Sequence, residues 1–326
     1  MPQMKNGGHI DRAMTNFSVA YQQGADAFIA DKIFPIIPVQ KQSDIYFSYS
    51  KADAFRDEVK ERGQGAESEG FNWDVKTENP YHCRKYALHY DITEEERANY
   101  DAPINVDRDT VESLTEKMLL NRERKFADTY FKAGVWGTDK SAGTGGTIAK
   151  FSDASSSPVE IINQCMLEMA ENTGKKPNFA IMSPDVLYAL KNHEEIMDRI
   201  KYTQKGIITL DLIAELFEVD KIYVPWGVVS SSAKRANFDD SNVSPNFIYK
   251  GSMLLGYRTP SPRLKTPSAG YIFAWKGLEG GSAYGSRIVR IPMDQLGIGT
   301  ERIEAEMAYD MRIICPDMGM FLTDLV

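Results

Sequence analysis

The sequence predicts an α+β fold, and three patterns carry that prediction. A long helical pattern occupies Asp107–Lys132, short helices and strands alternate from Ser157 to Val224, and a long alternating strand covers Arg302–Ile313. Helices gathered around separate strand runs, with no strict βαβ repeat throughout, are the signature of a mixed layered fold. At 326 residues the chain is about two domains long, or one domain with large excursions, and can bury a substantial core.

Elements follow in order. The first forty residues mix Gly, Gln and Asn with sparse apolar positions and end at Ile33-Phe-Pro-Ile-Ile-Pro-Val39, where two prolines forbid a continuous helix. This segment reads as an extended arm, residues 1–43, pinned at apolar points. Asp44–Ser50 reads as a strand, and Asn79–Thr93 as its return, so that 44–93 forms a hairpin. Between them Lys51–Gly70, KADAFRDEVKERGQGAESEG, is rich in charge and Gly and nearly empty of core-forming residues. Such an excursion cannot bury itself against its own domain. It is either a mobile surface loop or an arm whose partner is another copy of the chain. The contact residues of such an arm would be Phe55, Arg56, Asp57, Glu58, Lys60, Glu61 and Arg62.

The Asp107–Lys132 helix carries Val111, Leu114, Met118, Phe126 and Tyr130 at helical spacing and would be roughly 40 Å long. Acidic residues, among them Glu112 and Glu116, fill its first half, and Arg122, Arg124, Lys125 and Lys132 its second, the order that complements the helix dipole. A narrow apolar stripe flanked by many charges suits a helix lying along something flat or along other subunits. Gly137–Lys150, GTDKSAGTGGTIAK, follows as a flexible exit, with Gly137, Gly143, Gly145 and Gly146 supplying the freedom to turn. Ser157-Pro-Val-Glu160 then starts a helix with Ser as N-cap and Glu completing a capping box, and Gly174 ends it. In the last strand Ile303, Ala305, Met307, Tyr309, Met311 and Ile313 share one face, with Arg302, Glu304, Glu306, Asp310 and Arg312 on the other.

Motifs of catalysis are incomplete. The Gly137–Lys150 stretch lacks the Gly-Lys-Ser/Thr of a phosphate-binding loop, and the dinucleotide pattern fails at Ile148 and follows a helix where it should follow a strand. His193-Glu194-Glu195-Ile196-Met197 has Met where the second zinc-ligating histidine would stand. His82-Cys83 are neighbours on a strand and so face opposite sides, a surface histidine beside a buried thiol. Glu94-Glu95-Glu96 and Asp239-Asp240 sit among turns and helix starts, where acids cap and solvate. No cofactor, metal or catalytic residue is expected. The 38 Lys and Arg are interspersed among 46 Asp and Glu, for a net charge of -8, which argues against sequence-reading of nucleic acid. No apolar run approaches a bilayer span, the first residues lack the core of a signal peptide, and three scattered cysteines give no disulfide framework, so a cytosolic origin is expected.

Taken together, the arm, charged hairpin, long helix, Gly-rich exit, compact α/β region and long return strand resemble the major capsid protein of tailed bacteriophages, whose shell fold is shared with encapsulins. The resemblance spans nearly the whole chain. Ile208–Phe217 leading into Val219–Val224, the stretch Tyr257–Phe273 (YRTPSPRLKTPSAGYIF), and Tyr309–Asp317 (YDMRIICPD) carry it most specifically.

The resemblance implies a division into an N-terminal arm (1–43), an extended loop (44–93), a peripheral domain (94–150) with spine helix 107–132, an axial domain (151–285) and return strands of the peripheral domain (286–326). It implies a structural, non-enzymatic protein of the virion, assembled in the host cytoplasm into pentamers and hexamers around double-stranded DNA. Its partners would be further copies of itself, a separate scaffolding protein, a portal and a decoration protein. The alternatives are an encapsulin-type compartment shell, with the fold unchanged, and a cytosolic nucleotide- or metal-dependent enzyme.

Overall fold

The computed structural model describes residues 23–24, 27–65, 67–72, 74–100, 105–143, 145–200, 208–230, 244–263, 265–277 and 286–326. The arm before residue 23, apart from those positions, and the Asp239-Asp240 pair lie outside them.

The part of the arm that is described is no loose tether. Phe28, Ile29, Ala30, Ile33 and Phe34 are buried, and Ile36–Val39 (β1) pairs in parallel with Gly270–Trp275. Ser43–Tyr49 (β2) pairs antiparallel with Val75–His82 (β3), with a register shift between Tyr46 and Ser48, and Lys51–Phe55 (α1) opens the excursion between them. The single return strand expected over 79–93 is two strands. Cys83, wholly buried and donating its N–H to the Gln42 carbonyl at 2.8 Å, separates β3 from Arg84–Ile92 (β4). At that corner the chain changes partner: β4 leaves β2 and pairs along Glu301–Tyr309.

Thr93 accepts from the Glu96 N–H to start Glu94–Asn99 (α2), and Asn105 accepts from the Arg108 N–H to start the long helix Val106–Tyr130 (α3). This helix ends two residues before the sequence pattern suggests. No basic residue lies in its last turn, so the cationic half of the expected dipole arrangement falls short of the terminus. At the helix end the buried Tyr130 carbonyl accepts the Trp136 indole N–H at 2.8 Å instead.

The stretch expected as a flexible exit contains a strand, Thr138–Ser141 (β5), running parallel beside Gly319–Thr323. Pro158–Thr173 (α4) ends at left-handed Gly174 (φ 65°), as the sequence indicates. The Ser157 side chain makes no cap bond; a Glu195 carboxylate oxygen, 3.4 Å from the Val159 N–H, stands at that end. Phe179–Met182 (β6), Pro184–Lys191 (α5), Glu194–Ile200 (α6), Leu210–Leu216 (α7), Lys221–Tyr223 (β7), Val228–Ser230 (β8), Pro245–Phe247 (β9) and Met253–Gly256 (β10) follow. Then come Gly270–Trp275 (β11), Arg287–Pro292 (β12), Glu301–Ile313 (β13) and Gly319–Thr323 (β14).

Two five-stranded sheets organise these elements. In the first, β13 is the central strand: β4 lies along one edge, while β12 and β11 share the other in succession, with β1 beyond β11. The second runs β5-β14-β10-β6-β7. The expected boundaries at 150 and 285 cut across both sheets. β11 belongs to the first, while β5 and the closing strand β14 belong to the second, because β14 has apolar residues for both of its faces (Met320 and Leu322; Phe321) and fills a gap between β5 and β10.

The α3 stripe packs onto the apolar face of β13, where Leu114, Met118, Phe126 and Tyr130 meet Ile303, Ala305, Met307, Tyr309 and Met311 in one core. The second core lies between the second sheet and α4, α5 and α7. β6 and β10 are buried on both faces, Ile181 and Leu254 toward the first core and Met182 and Leu255 toward the second. Their sequences, FAIM and MLLG, accordingly read as continuous apolar runs.

Candidate self-assembly surface

The strand β2 carries most of its apolar residues outward. Ile45, Phe47 and Tyr49 are exposed, Phe47 by 61%, while Asp44, Tyr46 and Ser48 are the half-buried set. Val75, paired with Tyr49, is exposed beside them, and Phe55, Val59 (90% exposed) and Phe71 are exposed in the excursion. A strand that buried its apolar face in its own subunit would show the reverse alternation. Contiguous exposed apolar surface rimmed by charge marks an interaction site.

The base of the hairpin is held firmly. Tyr81 stacks on Phe273 with ring centres 4.7 Å apart and Tyr46 stacks on the same ring at 5.6 Å, while at the far end, past Tyr49, Lys51 makes a surface pair with Asp317 at 2.9 Å. The tip holds itself through surface ion pairs, Arg56–Glu58 at 2.9 Å and Lys60–Glu69 at 2.6 Å. Phe55 lies over Gly174, close enough that a side chain there would touch its ring. Of the expected contact residues, Phe55, Arg56, Asp57, Lys60, Glu61 and Arg62 are exposed and Glu58 is half-buried.

The spine-helix residues divide. Arg124 and Lys125 are exposed, and Glu112 is exposed and paired with Arg108 at 2.8 Å. Glu116 accepts the Gln23 N–H at 2.7 Å. Arg122 is buried, with Asp31 3.7 Å away. Beside it sits a residue the sequence reading passed over: Glu123, entirely buried, accepting from the Ile29 and Ala30 amides at 3.0 and 2.9 Å and from the Tyr249 hydroxyl at 2.6 Å. Burial pushes its carboxyl above the usual range, opposed by those three donors and by Arg122. The signal was available, since charges at 122 and 123 lie within the Met118–Phe126 stretch of the apolar stripe.

The four glycines after α3 also divide. A side chain at Gly137 would collide with Asp317, and one at Gly146 with the Ser141 carbonyl oxygen. Gly143 and Gly145 have φ of 95° and 86°, the left-handed region that other residues rarely adopt. Gly146 N–H bonds to the Gly143 carbonyl and Thr147 N–H to that of Ser141, both at 2.9 Å, which closes a compact turn.

The catalytic candidates are occupied structurally. His193 Nδ1 accepts the Glu195 N–H at 3.2 Å, which leaves Nε2–H to donate to the Asp153 carbonyl at 3.1 Å. The histidine thereby tethers the start of α6, and Ser156, 3.2 Å away, gives its own hydroxyl proton to the same carbonyl. Burial pushes the Cys83 thiol up to about 12, the opposite of an activated nucleophile. Among the described residues no group of three or more His, Cys, Asp or Glu could hold a metal, and no helix is long and apolar enough to cross a membrane.

No family model matches the chain. Two curated relatives are each named major capsid protein. That of Burkholderia phage BcepMu is 26% identical over 277 residues, covering 82% of this chain and 84% of the relative. That of Pseudomonas phage JBD67 is 23% identical over 326 residues, covering 97% of each. Among solved structures, a phage-related protein from Bordetella bronchiseptica RB50 superposes with TM-score 0.68 at 20% identity, over 94% of both chains. The capsid of cyanophage P-SCSP1u gives 0.60 at 10% identity, over 94% of this chain and 90% of that one. The SrpI encapsulin of Synechococcus elongatus gives 0.59 at 11% identity, over 96% and 94%. The fold is that of phage capsid and encapsulin shells, and the curated relatives are structural proteins, not enzymes.

Proposed function

We propose that this chain, which has the capsid shell fold and relatives among phage major capsid proteins, is itself a major capsid protein that closes with its copies into an icosahedral phage head. The observation that carries the reading is the outward apolar face of the β2–β3 hairpin, where Ile45, Phe47 and Val75 are exposed in the single subunit. A second copy covers it in this proposal, and pentamers and hexamers repeat the contact around the shell. Many such contacts, each modest, suffice to hold a closed particle.

In this reading the second sheet with its helices meets other copies around the five- and six-fold axes, and the first sheet with α3 forms the outlying part of each subunit. Scaffolding, portal and decoration proteins are the remaining partners, and double-stranded DNA is enclosed without sequence recognition. The interspersed charge supports that last point, since no concentrated cationic face competes for bases. Assembly takes place in the host cytoplasm and the product is the virion.

Deleting residues 51–70 tests the proposal. The expected product is a folded, soluble subunit that sediments as small species and shows no shells by electron microscopy. Normal closed particles from the deletion would remove residues 51–70 from assembly. The fold also suits a cellular compartment, a reading favoured by the SrpI likeness. A co-purifying enzyme inside particles free of DNA would select it.

A further inference from the structure

Residues 27–34 include a turn closed by the Lys32 N–H on the Ile29 carbonyl at 2.8 Å, with Phe28, Ile29, Ala30, Ile33 and Phe34 buried and Asp31 and Lys32 exposed. At its amide end, one Glu123 oxygen of α3 takes the N–H groups of Ile29 and Ala30. At its carbonyl end, Arg258 Nη1 donates to the carbonyls of Lys32 and Ile33, the latter at 2.9 Å, while Nη2 donates to the Tyr223 hydroxyl at 2.8 Å. The Arg258 guanidinium also lies over the Tyr223 and Phe179 rings, 5.3 and 5.9 Å from their centres.

The polarity matters. A turn of backbone leaves orphan amides at one end and orphan carbonyls at the other, and an anion and a cation placed there satisfy both. The two charges come from different parts of the fold, Glu123 from the helix of the first core and Arg258 from the segment after β10. Upstream, the Gln23 side-chain amide exchanges two bonds with the Val228 backbone, both at 2.8 Å, and downstream β1, among the described residues, pairs with β11 alone at the rim of the first sheet.

We propose that Glu123 and Arg258 are the two jaws of a latch that fastens the N-terminal turn to α3 on one side and to the second sheet on the other, and that opening either jaw frees this turn while α3 and the β13 sheet stay closed. The edge position of β1 allows this, because among the described residues no strand lies beyond it. The latch is a conformational device of the single subunit and stands independently of the shell reading.

The test is hydrogen–deuterium exchange and limited proteolysis on the unassembled full chain. Glu123→Gln keeps the size of the side chain but replaces one acceptor oxygen by an N–H donor. Arg258→Lys keeps the charge but offers one ammonium where a guanidinium spans two carbonyls and a phenol. Each substitution is expected to speed exchange across residues 27–34 by roughly 10- to 100-fold and to open a protease site there, as loss of a charge-assisted bond to a buried backbone implies. Exchange in α3 and β13 is expected to change less than about threefold.

Tyr249→Phe removes one donor to Glu123 without touching the turn and is expected to have a smaller effect at residues 27–34 than either jaw. Acceleration spread evenly over α3 and β13, or unchanged exchange at residues 27–34 in both jaw variants, would overturn the latch. Should the Glu123 variant fail to fold, the half-buried Arg258 position decides alone.

Discussion

Arg302 and Asp91 face each other across β13 and β4 in a two-bond fork, at 2.7 and 2.9 Å. The Arg302 fork holds the Asp91 carboxyl below its usual range. On the same polar face burial alone would push Glu306 up, yet Lys85 and Arg287 bring it down on balance. Because both folded-state pKa values are depressed, the stabilisation is complete above the unfolded value of about 4 and is lost as pH falls through the folded values. Thermal melts are therefore expected to show a steep loss of stability below about pH 4. Arg302→Met is expected to flatten that loss, and an unchanged pH profile would show the fork to be electrostatically silent. Glu123 has the opposite sign, its raised pKa making the buried charge a cost at neutral pH that eases on acidification. Single residues of this kind show how far the sequence reading reached. The alternation that places Arg302 and Glu306 on the polar face was legible, but their partners were not, since cross-strand pairing depends on a register set 211 residues away for Asp91 in β4 and across an irregular connection for Arg287 in β12.

Among the elements, α3 and β13 were legible in the sequence because each is long and keeps one period, and each packs its predicted face inward. The shorter strands β5, β8, β12 and β14 were not, because three to six residues hold too few repeats to distinguish a pattern from chance. The Gly-rich stretch after α3 shows what such a misreading costs. Read as freedom to turn, it contains β5 and a tight turn in which the glycines admit close backbone approach or left-handed φ. The freedom to turn expected of these glycines remains a proposal, and it falls on Gly143 and Gly145, whose φ lies in the left-handed region. Gly145→Val meets open space but a strained φ of 86°, whereas Gly146→Val meets the Ser141 carbonyl. Urea unfolding is expected to cost Gly146→Val more than Gly145→Val, by roughly 1–3 kcal/mol, the range for overpacking. The reverse order would show that backbone conformation, not close approach, fixes the turn.

At the scale of the molecule, the second sheet serves both cores, and its middle strands have no solvent face. β14, one of the last elements of the chain, sits between β5 and β10, with Leu322 and Leu325 wholly buried. Removing residues 319–326 is therefore expected to yield an insoluble or protease-labile product, read by fractionation and circular dichroism. A soluble, cooperatively melting truncation would show that β10 and β6 close without it. The contrast with deletion of 51–70 is informative: one removal takes a strand from the cores and the other a surface excursion, so only the latter is expected to separate folding from assembly.

The sequence by itself determined the α+β class, the long helix and long strand with their inward faces, the absence of complete catalytic motifs, and a resemblance to capsid proteins that structural and sequence relatives bear out. Periodicity and composition are local properties, and these conclusions need nothing else. Tertiary structure alone decided that Cys83 divides the return strand, that β14 crosses to the second sheet, and that the apolar residues of β2 face outward. It also brought Glu123 and Arg258 to opposite ends of one turn. Each of these depends on which segments meet, and alternation within a strand is the same whichever face the fold turns inward.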